Sequence, residues 1–316
     1  MKLFGDDSTS IPDAQIIAQK LGIPFHVFDF QDEFRTQVID RFAQTYLEGG
    51  TPNPCVLCNR FLKFQQLLFK AKELGISLFA TGHYAQIEYD PASQRYLLKK
   101  GRDEMKDQSY VLYSLTQTQL AQVLFPLGTM KKNEVRSIAE SLGFVHAHHR
   151  ESQDLCFVPD GDYARFIEQY TGQNCPIGNF VDKTGKVLGT HKGLIRYTIG
   201  QRKGLGIAAP KPYYVCKHDV ENNSVVLGFE SDLLVQTLTA TDINLIPFDR
   251  VEGSIRAAVK VRYRQKGDWA TVRQVDSDTL QIVFDEPQKG VALGQAAVLY
   301  EGDYVIGGGT IKGAFN

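Results

Sequence analysis

The chain has 316 residues, 43% of them apolar and 22% charged, with a formal net charge of −1 at pH 7. That length allows two or three domains with ample core, and the near-neutral balance excludes binding of nucleic acid through overall charge, leaving local basic patches for that purpose. No run of about 18 apolar residues offers a membrane span, no signal-peptide pattern follows Met1, and the five cysteines (Cys55, Cys58, Cys156, Cys175, Cys216) are too few and too scattered for a disulfide scaffold; a reducing cytosol is the expected compartment, and no membrane partner is expected.

Ser10 is placed to cap a helix that holds Pro12 and Asp13 in its first turn and runs through Ala14, Ile17, Ala18 and Leu21 to Gly22. Ile23 to Phe30 then reads as a buried strand, rich in aromatic and β-branched residues. Phe34, Val38 and Phe42 mark the apolar face of a second helix, which stops at Gly49-Gly50.

Next comes Thr51-Pro52-Asn53-Pro54-Cys55-Val56-Leu57-Cys58-Asn59. Its prolines predict a rigid, extended segment that delivers two cysteines to the mouth of a helix beginning near Arg60. A helix start favours negative charge, and Arg60 and Lys63 add positive charge, so thiol pKa values lowered toward thiolate are expected. Cys-x-x-Cys is equally compatible with catalytic or redox thiols and with a structural metal knuckle; the spacing leaves both open. The helix continues to Leu74, is closed by Gly75, and is followed by a short apolar strand, Ile76 to Thr81. Helices alternating with buried strands argue an α/β domain on a parallel sheet.

Gly82-His83-Tyr84 lies past the carboxyl end of that strand, where open α/β sheets bind ligands. Read alone, it is a strand-to-loop turn with His83 solvated. A hairpin follows, Ala85–Tyr89 and Arg95–Lys99 about a turn at Asp90-Pro91-Ala92-Ser93. Lys106-Asp107-Gln108-Ser109-Tyr110 reads as a capped, solvated start to an apolar helix, and Met130 to Leu142 as a further amphipathic helix. His146, His148 and His149 suggest a surface loop more than a metal tract. In Glu151-Ser152-Gln153-Asp154-Leu155-Cys156-Phe157 the cysteine, read alone, is a small core thiol.

From about Thr184 glycines and short β-rich runs take over: Val187–His191, Tyr213–His218 and Ser224–Leu227. Further strands are expected around Ser254–Val261, Trp269–Gln274, Thr279–Phe284 and Ala296–Tyr300, which together suggest a small β-domain followed by a β-barrel. Gly200-Gln201-Arg202-Lys203-Gly204-Leu205-Gly206 fails the nucleotide P-loop template, because Ile207 follows Gly206, but it suits contact with RNA phosphates. Lys260-Val261-Arg262-Tyr263-Arg264-Gln265 alternates basic and aromatic residues, as phosphate contact and base stacking require; a solvated strand face is the plainer reading.

In this order the runs T-P-N-P-C-V-L-C-N-R-F-L-K-F, A-T-G-H-Y, K-D-Q-S-Y-V-L-Y, E-S-Q-D-L-C-F-V, T-I-G-Q-R-K-G-L-G, V-R-Y-R-Q and L-G-Q-A-A-V-L-Y resemble the bacterial tRNA-specific 2-thiouridylases of the MnmA/TrmU family, within the PP-loop ATPase superfamily. The resemblance runs from about Ile11 to the C-terminus. It implies an α/β adenine-nucleotide α-hydrolase-like (PP-loop) catalytic domain over 1–160, a small central β-rich tRNA-binding domain over 161–234 and a C-terminal β-barrel over 235–316. The implied reaction is ATP-dependent 2-thiolation of wobble uridine 34 in the lysine, glutamate and glutamine tRNAs, with Mg2+ accompanying ATP. Sulfur would arrive as a persulfide from a cysteine desulfurase or sulfur-relay protein, and the protein would be a cytoplasmic monomer.

Carried over residue by residue, the resemblance makes Cys156 the persulfide carrier and Cys58 the nucleophile, with a Cys58–Cys156 disulfide formed in the reaction. Asn53, Pro54 and Cys55 match the segment that contacts the target base. Gly82 matches an ATP contact and His83 a tRNA contact, as do Lys106, Asp107, Gln108, Arg262, Tyr263 and Gln295. Cys55 stands where some members have Asp, so Cys55, Cys58 and Cys156 together suggest a [4Fe–4S] cluster with one open iron. The family's opening strand, its S-G-G-V-D-S loop and the following helix find only a faint echo in Gly5-Asp6-Asp7-Ser8. A chain without its first βα unit is therefore expected, with poor adenylation and exposed apolar surface as consequences, and a non-catalytic tRNA-binding paralogue is the alternative.

Overall fold

The computed structural model describes residues 1–4, 10–144 and 155–316. Gly5-Asp6-Asp7-Ser8, the histidines 146, 148 and 149, the stretch 151–154 and the side chain of Ser10 lie outside the described residues. The chain divides into two compact units, one of residues 1–40, 54–161 and 303–305, the other of 41–53, 162–302 and 306–316.

In the first unit, the helix Ser10–Leu21 is followed by 22–30 without a strand. The expected strand over Ile23–Phe30 reduces to a single parallel bridge between Lys2 and Asp29, with Lys2 N–H donating to Phe28 O and Phe30 N–H to Lys2 O. Ile23, Phe25 and Val27 are exposed, and only Phe30 is fully buried. A strand exists only through its ladder, and a one-rung ladder does not define one.

The same reasoning shortens the next strand. Of Ile76–Thr81, only β1 (Phe79–Ala80) forms, while Ile76 and Leu78 remain exposed. The hairpin of β2 (Ala85–Asp90) and β3 (Arg95–Lys100) forms as expected. Asp90 carboxylate oxygens accept from the backbone N–H groups of Ala92 and Ser93, which fixes the turn. Two residues of β4 (Val123–Leu124) pair in parallel with β1, the connection type expected of an α/β domain. On the hairpin's other edge, Tyr304 and Val305 pair with Lys99 and Leu98.

The apolar helix expected after Lys106–Tyr110 is instead a 3-10 turn, Ser109–Leu112, continuing through Tyr113, Ser114 and Leu115, all buried. The amphipathic helix near Met130–Leu142 is present as Lys132–Ser141.

The second unit holds the helix Asp40–Leu47 from Arg41 onward, the helix Tyr163–Thr171 and two β-structures. β5 (Gly178–Val181), β6 (Val187–His191), β7 (Tyr214–Asp219) and β8 (Ser224–Gly228) form a four-stranded sheet in the order β6-β5-β8-β7. Phe180, Leu194, Tyr197, Leu205, Val215, Val225 and Leu227 make its core. β9 (Leu234–Leu245), β10 (Ile255–Lys260), β11 (Asp268–Gln274), β12 (Thr279–Lys289), β13 (Ala296–Glu301) and β14 (Tyr304–Phe315) run in the order β13-β10-β11-β12-β9-β14, and pairing of β13 with β14 closes the barrel.

Inward residues alternate with outward ones, as Ala257 and Val259, Ala270 and Val272, and Leu280, Ile282 and Phe284 show. Closure leaves these strands without an open edge. The layout expected from the sequence, an α/β domain followed by a small β-domain and a barrel, is the layout observed. β10 stops at Lys260, so Val261–Gln265 is a turn, not the strand face that alternation suggested.

Candidate active site

The cysteines do not sit at the mouth of a helix that begins near Arg60. The helix begins at Pro54: an α-turn Pro54–Leu57 passes into a π-helix Cys58–Gln66 and returns to α over Leu67–Glu73. Proline is well suited to the first position of a helix, and asparagine to the position before it, so Asn53-Pro54 is a start signal and not an extension of the rigid segment. Val56, Asn59, Leu62, Phe64 and Leu68 face the core. Asn59 Nδ2 donates to Val111 O at 3.2 Å, and Gln119 Nε2 donates to Phe64 O at 2.7 Å, which fastens the widened helix to the segments behind it.

The π register decides which side chains meet. In an α-helix, Cys58 and Lys63 would lie about 140° apart round the axis. Hydrogen bonding from i to i+5 brings residues five apart to nearly the same face, and the Lys63 ammonium acts on Cys55, Cys58 and His83 together. Lys63 is half-buried and makes no ion pair among the described residues.

Cys156 acts on both thiols of this helix, so its sulfur lies within electrostatic reach of Cys55 and Cys58. Cys156 is exposed, and the next residue, Phe157, is buried edge-on against Phe34 with centroids 5.7 Å apart. No disulfide joins any of the five cysteines. Cys156 is therefore not the core thiol that its apolar neighbours suggested.

The expected lowering of the thiol pKa values is not found. Burial, the larger influence, pushes Cys58 up to about 11, with the other two thiols adding to the rise and Lys63 opposing it. Cys55 is raised by desolvation and by Cys156, again against Lys63. Part of Cys55 reaches the surface, but protein packs closely enough round its thiol to withhold most of its hydration. The helix start cannot offset that loss.

His83 is not a solvated loop residue. It is 7% exposed, set between Phe64 and Phe125 at 5.6 and 5.7 Å, with Nδ1 2.7 Å from Thr81 Oγ1. Desolvation and the Lys63 charge lower its pKa to about 3, so the imidazole is neutral at physiological pH. Tyr84 N–H donates to Gln108 Oε1 at 3.0 Å and Gln108 N–H to Tyr84 O at 2.9 Å, which ties Gln108 to the residue after His83. Asp107 accepts from Gly101 N–H, Ser109 N–H and Ser109 Oγ–H, so its carboxylate shapes this turn and is not simply solvated. Lys106 precedes them, half-buried. At Gly82 neither a positive φ nor a close protein atom demands glycine; a Cβ there would meet only Leu127 Cδ1 at 3.6 Å.

Among the described residues, no three His, Cys, Asp or Glu side chains converge closely enough to hold a metal ion. Neither the [4Fe–4S] reading of Cys55, Cys58 and Cys156 nor the metal-knuckle reading of Cys55 and Cys58 gains support from this arrangement.

In the second unit, Gln295 holds the segment that ends in Asn53. Its Nε2 donates to Thr51 O at 3.0 Å and Pro52 O at 3.1 Å, and Thr51 N–H donates to Leu293 O at 2.7 Å. Gly294, at φ +87°, permits this approach, since a Cβ would lie 2.8 Å from Thr45 Cγ2. Arg262 and Tyr263 occupy the turn after β10, where Arg262 Nη2 donates to Lys289 O and Tyr263 is 39% exposed. Sequence reasoning missed Asn59 and the aromatic pair Phe64 and Phe125. The spacing Cys58 to Lys63 also gave no sign of adjacency, because α-helical periodicity separates the two.

Family models tile the chain: a tRNA methyl transferase HUP domain matches 6–160, a tRNA methyl transferase PRC-barrel domain 164–229, and an aminomethyltransferase β-barrel domain 235–311. A tRNA-specific 2-thiouridylase MnmA of Acetivibrio thermocellus is 48% identical over 304 residues, covering 96% of this chain and 85% of the relative. Its counterpart in Clostridioides difficile is 45% identical over 323 residues, 99% of this chain and 90% of the relative. That of Carboxydothermus hydrogenoformans is 46% identical over 303 residues, 96% and 83% respectively. With this identity sustained across nearly its whole length, the chain belongs to the MnmA family of tRNA-specific 2-thiouridylases.

Proposed function

We propose that this protein is a tRNA-uridine 2-sulfurtransferase that replaces the C2 oxygen of uridine 34 by sulfur in the lysine, glutamate and glutamine tRNAs, in the cytoplasm. The observation that carries this reading is that Cys55, Cys58 and Cys156 act on one another's protonation together with Lys63, the cation of the π-helix. Sulfur transfer needs a carrier thiol and a second thiol within its reach, and a cluster of thiols serves that chemistry. Exposure of Cys156 suits a residue that must receive sulfur from another protein.

The C2 oxygen attacks the α-phosphorus of ATP, taken with Mg2+, the α–β phosphoanhydride bond breaks with loss of pyrophosphate, and the adenylated oxygen becomes a leaving group. A sulfur donor such as a cysteine desulfurase or sulfur-relay protein loads Cys156 as a persulfide. The terminal sulfur, having lost its proton, attacks C2; the C–O bond breaks and AMP leaves with the electron pair. Cys58 thiolate then attacks Cys156 Sγ, the persulfide S–S bond breaks toward the uridine sulfur, and 2-thiouridine and a Cys58–Cys156 disulfide result. A thiol reductant returns both cysteines to thiols. If Cys58 attacks before the uridine does, the hydrosulfide so released is the nucleophile, with the same disulfide left behind.

The remaining residues take supporting roles. Gly82, open beyond β1, suits approach of the nucleotide. Asn53, Pro54 and Cys55 are the residues assigned to the target base, and Lys106, Asp107, Gln108, His83, Arg262, Tyr263 and Gln295 are assigned to shaping or contacting the tRNA.

The test uses an unmodified lysine tRNA, Mg-ATP and a persulfide-loaded donor, with mass analysis of nucleosides and of the peptide bearing Cys156. Wild type is expected to form 2-thiouridine. Cys156→Ser should lose both the product and the extra sulfur at position 156, whereas Cys58→Ser should lose the product and keep that sulfur. Product formation undiminished in either variant overturns the reading. Tight tRNA binding with no sulfur ever reaching Cys156 would replace it by the non-catalytic tRNA-binding alternative.

A further inference from the structure

We propose that Arg202 and Lys203, on the glycine-rich loop 200–206, join Arg262 and Tyr263 in one surface that grips consecutive phosphates of an RNA backbone. The loop is held at both ends. Gly200, at φ +85°, donates from its N–H to Val215 O, and Val215 N–H donates back to Gln201 O. Gln201 then braces the turn from within: Oε1 accepts from Thr198 N–H at 3.0 Å, and Nε2 donates to Lys203 O at 3.0 Å. Leu205 is buried in the core of the four-stranded sheet and pins the far end. The crest between these anchors is Arg202 and Lys203, both exposed, and neither forms an ion pair or hydrogen bond from its side chain among the described residues.

Two unpaired cations on a braced loop differ from a flexible charged face. The backbone that carries them is fixed before any ligand arrives, so binding has only the two side chains to order.

The loop also has a neighbour. Gly200 and Gly290 approach so closely that a Cβ on Gly290 would lie 3.7 Å from Gly200 Cα and 3.2 Å from Arg262 Nη2. The β-sheet loop and the barrel turn therefore meet at two glycines, with a guanidinium beside the junction. Lys289 adds a third element: its ammonium stands over the Tyr214 ring at 5.1 Å and pairs with Glu230, the carboxylate on which Arg202 also acts. Arg202 and Lys289 thus both act on Glu230, and the Arg262 guanidinium stands at the backbone of Lys289 and Gly290. Side chains from separate elements that converge with one sign of charge, beside an exposed tyrosine, match the chemistry of a phosphate backbone with an unstacked base.

That the RNA is the tRNA substrate rests on the proposed function; the phosphate chemistry does not. The test measures binding of a lysine tRNA to the full chain across a salt series, for wild type and for Arg202→Gln with Lys203→Gln. The double variant is expected to bind more weakly at low salt and to reduce the salt slope by about 2, one for each cation replaced. Its thermal melting should stay unchanged. An unaltered slope overturns the inference even if affinity falls, because that result would mark a structural defect. If wild type does not bind tRNA, the proposed function fails and this inference with it, whereas a slope unchanged by the substitutions fails the inference alone.

Discussion

The side-chain amide of Gln295 donates to the Pro52 carbonyl at 3.1 Å and, through the same nitrogen, to that of Thr51 at 3.0 Å. The partners are 243 and 244 residues apart in sequence, so the last turn before β13 sets the path of the segment leading to Asn53. A residue matched to tRNA contact by resemblance is thus occupied with the chain itself.

Gln295→Ala removes both bonds and leaves the carbonyls of half-buried Thr51 and buried Pro52 without this donor, at a cost of ~1–3 kcal/mol. Gln295→Glu should cost more, since a carboxylate would then face two carbonyl oxygens with no proton to share. Thermal unfolding checks the stability order wild type, Ala, Glu. If Gln295 acts by positioning, tRNA affinity should fall in the same order, whereas a direct contact alone would leave stability untouched.

Lys63 should set the reactivity of Cys58. The thiol is raised to about 11 by burial, with Lys63 as the opposing influence. Cys55 on the same helix and Cys156 on the facing segment both push it up, and no carboxylate is among the groups acting on it. Lys63→Met should therefore raise the thiol further and slow alkylation by iodoacetamide several-fold at pH 8, while Lys63→Arg keeps the charge and most of the rate. Peptide mass analysis of residue 58 over pH 7–11 reads this directly, because only the thiolate reacts. An unchanged pH profile in Lys63→Met would remove Lys63 from any part in sulfur chemistry.

That pairing shows where sequence reading stops. The helices, the hairpin at Asp90 and the barrel strands were legible because apolar periodicity and turn residues are local signals. Cys55, Cys58 and Cys156 could be singled out, but not the burial that raises the pKa values of Cys55 and Cys58, which depends on every element packed around them. The strand over Ile23–Phe30 failed for a related reason: composition gives a segment strand character, yet pairing must come from elsewhere in the chain. No side-chain pattern announced the π register of Cys58–Gln66 either, and it is that register which brings Lys63 to the thiols.

The exposed apolar side chains of 23–27 and 76–78 predict association. Val27 is 47% exposed and Leu78 53%, both on segments of the first unit that have few backbone partners. Val27→Lys with Leu78→Lys should lower binding of a hydrophobic dye and reduce concentration-dependent association on sizing, with little change in melting temperature, since neither side chain contributes much buried area. A large fall in melting temperature would show that these residues are packed in solution.

His83 predicts how the protein responds to acid. Its folded pKa is about 3, against 6.5 for an ordinary histidine, chiefly because the ring is buried between Phe64 and Phe125. Between those two values the unfolded chain holds a proton that the folded chain refuses, so stability is complete above about 6.5 and declines as pH falls toward 3. At 1.4 kcal/mol per unit, the loss from pH 6.5 to 5 is about 2 kcal/mol. His191 and His218 are also lowered by burial and add loss of the same sign. The difference between wild type and His83→Phe isolates the one ring, since phenylalanine fits the aromatic surroundings and carries no titrating nitrogen. Denaturant unfolding at pH 7, 6, 5 and 4.5 should show the variant less stable at pH 7, where it lacks the bond to Thr81, and less sensitive to acid below pH 6.5. Parallel curves for the two proteins would mean that His83 is protonated in the folded state, and that its environment is more open to water than the aromatic contacts imply.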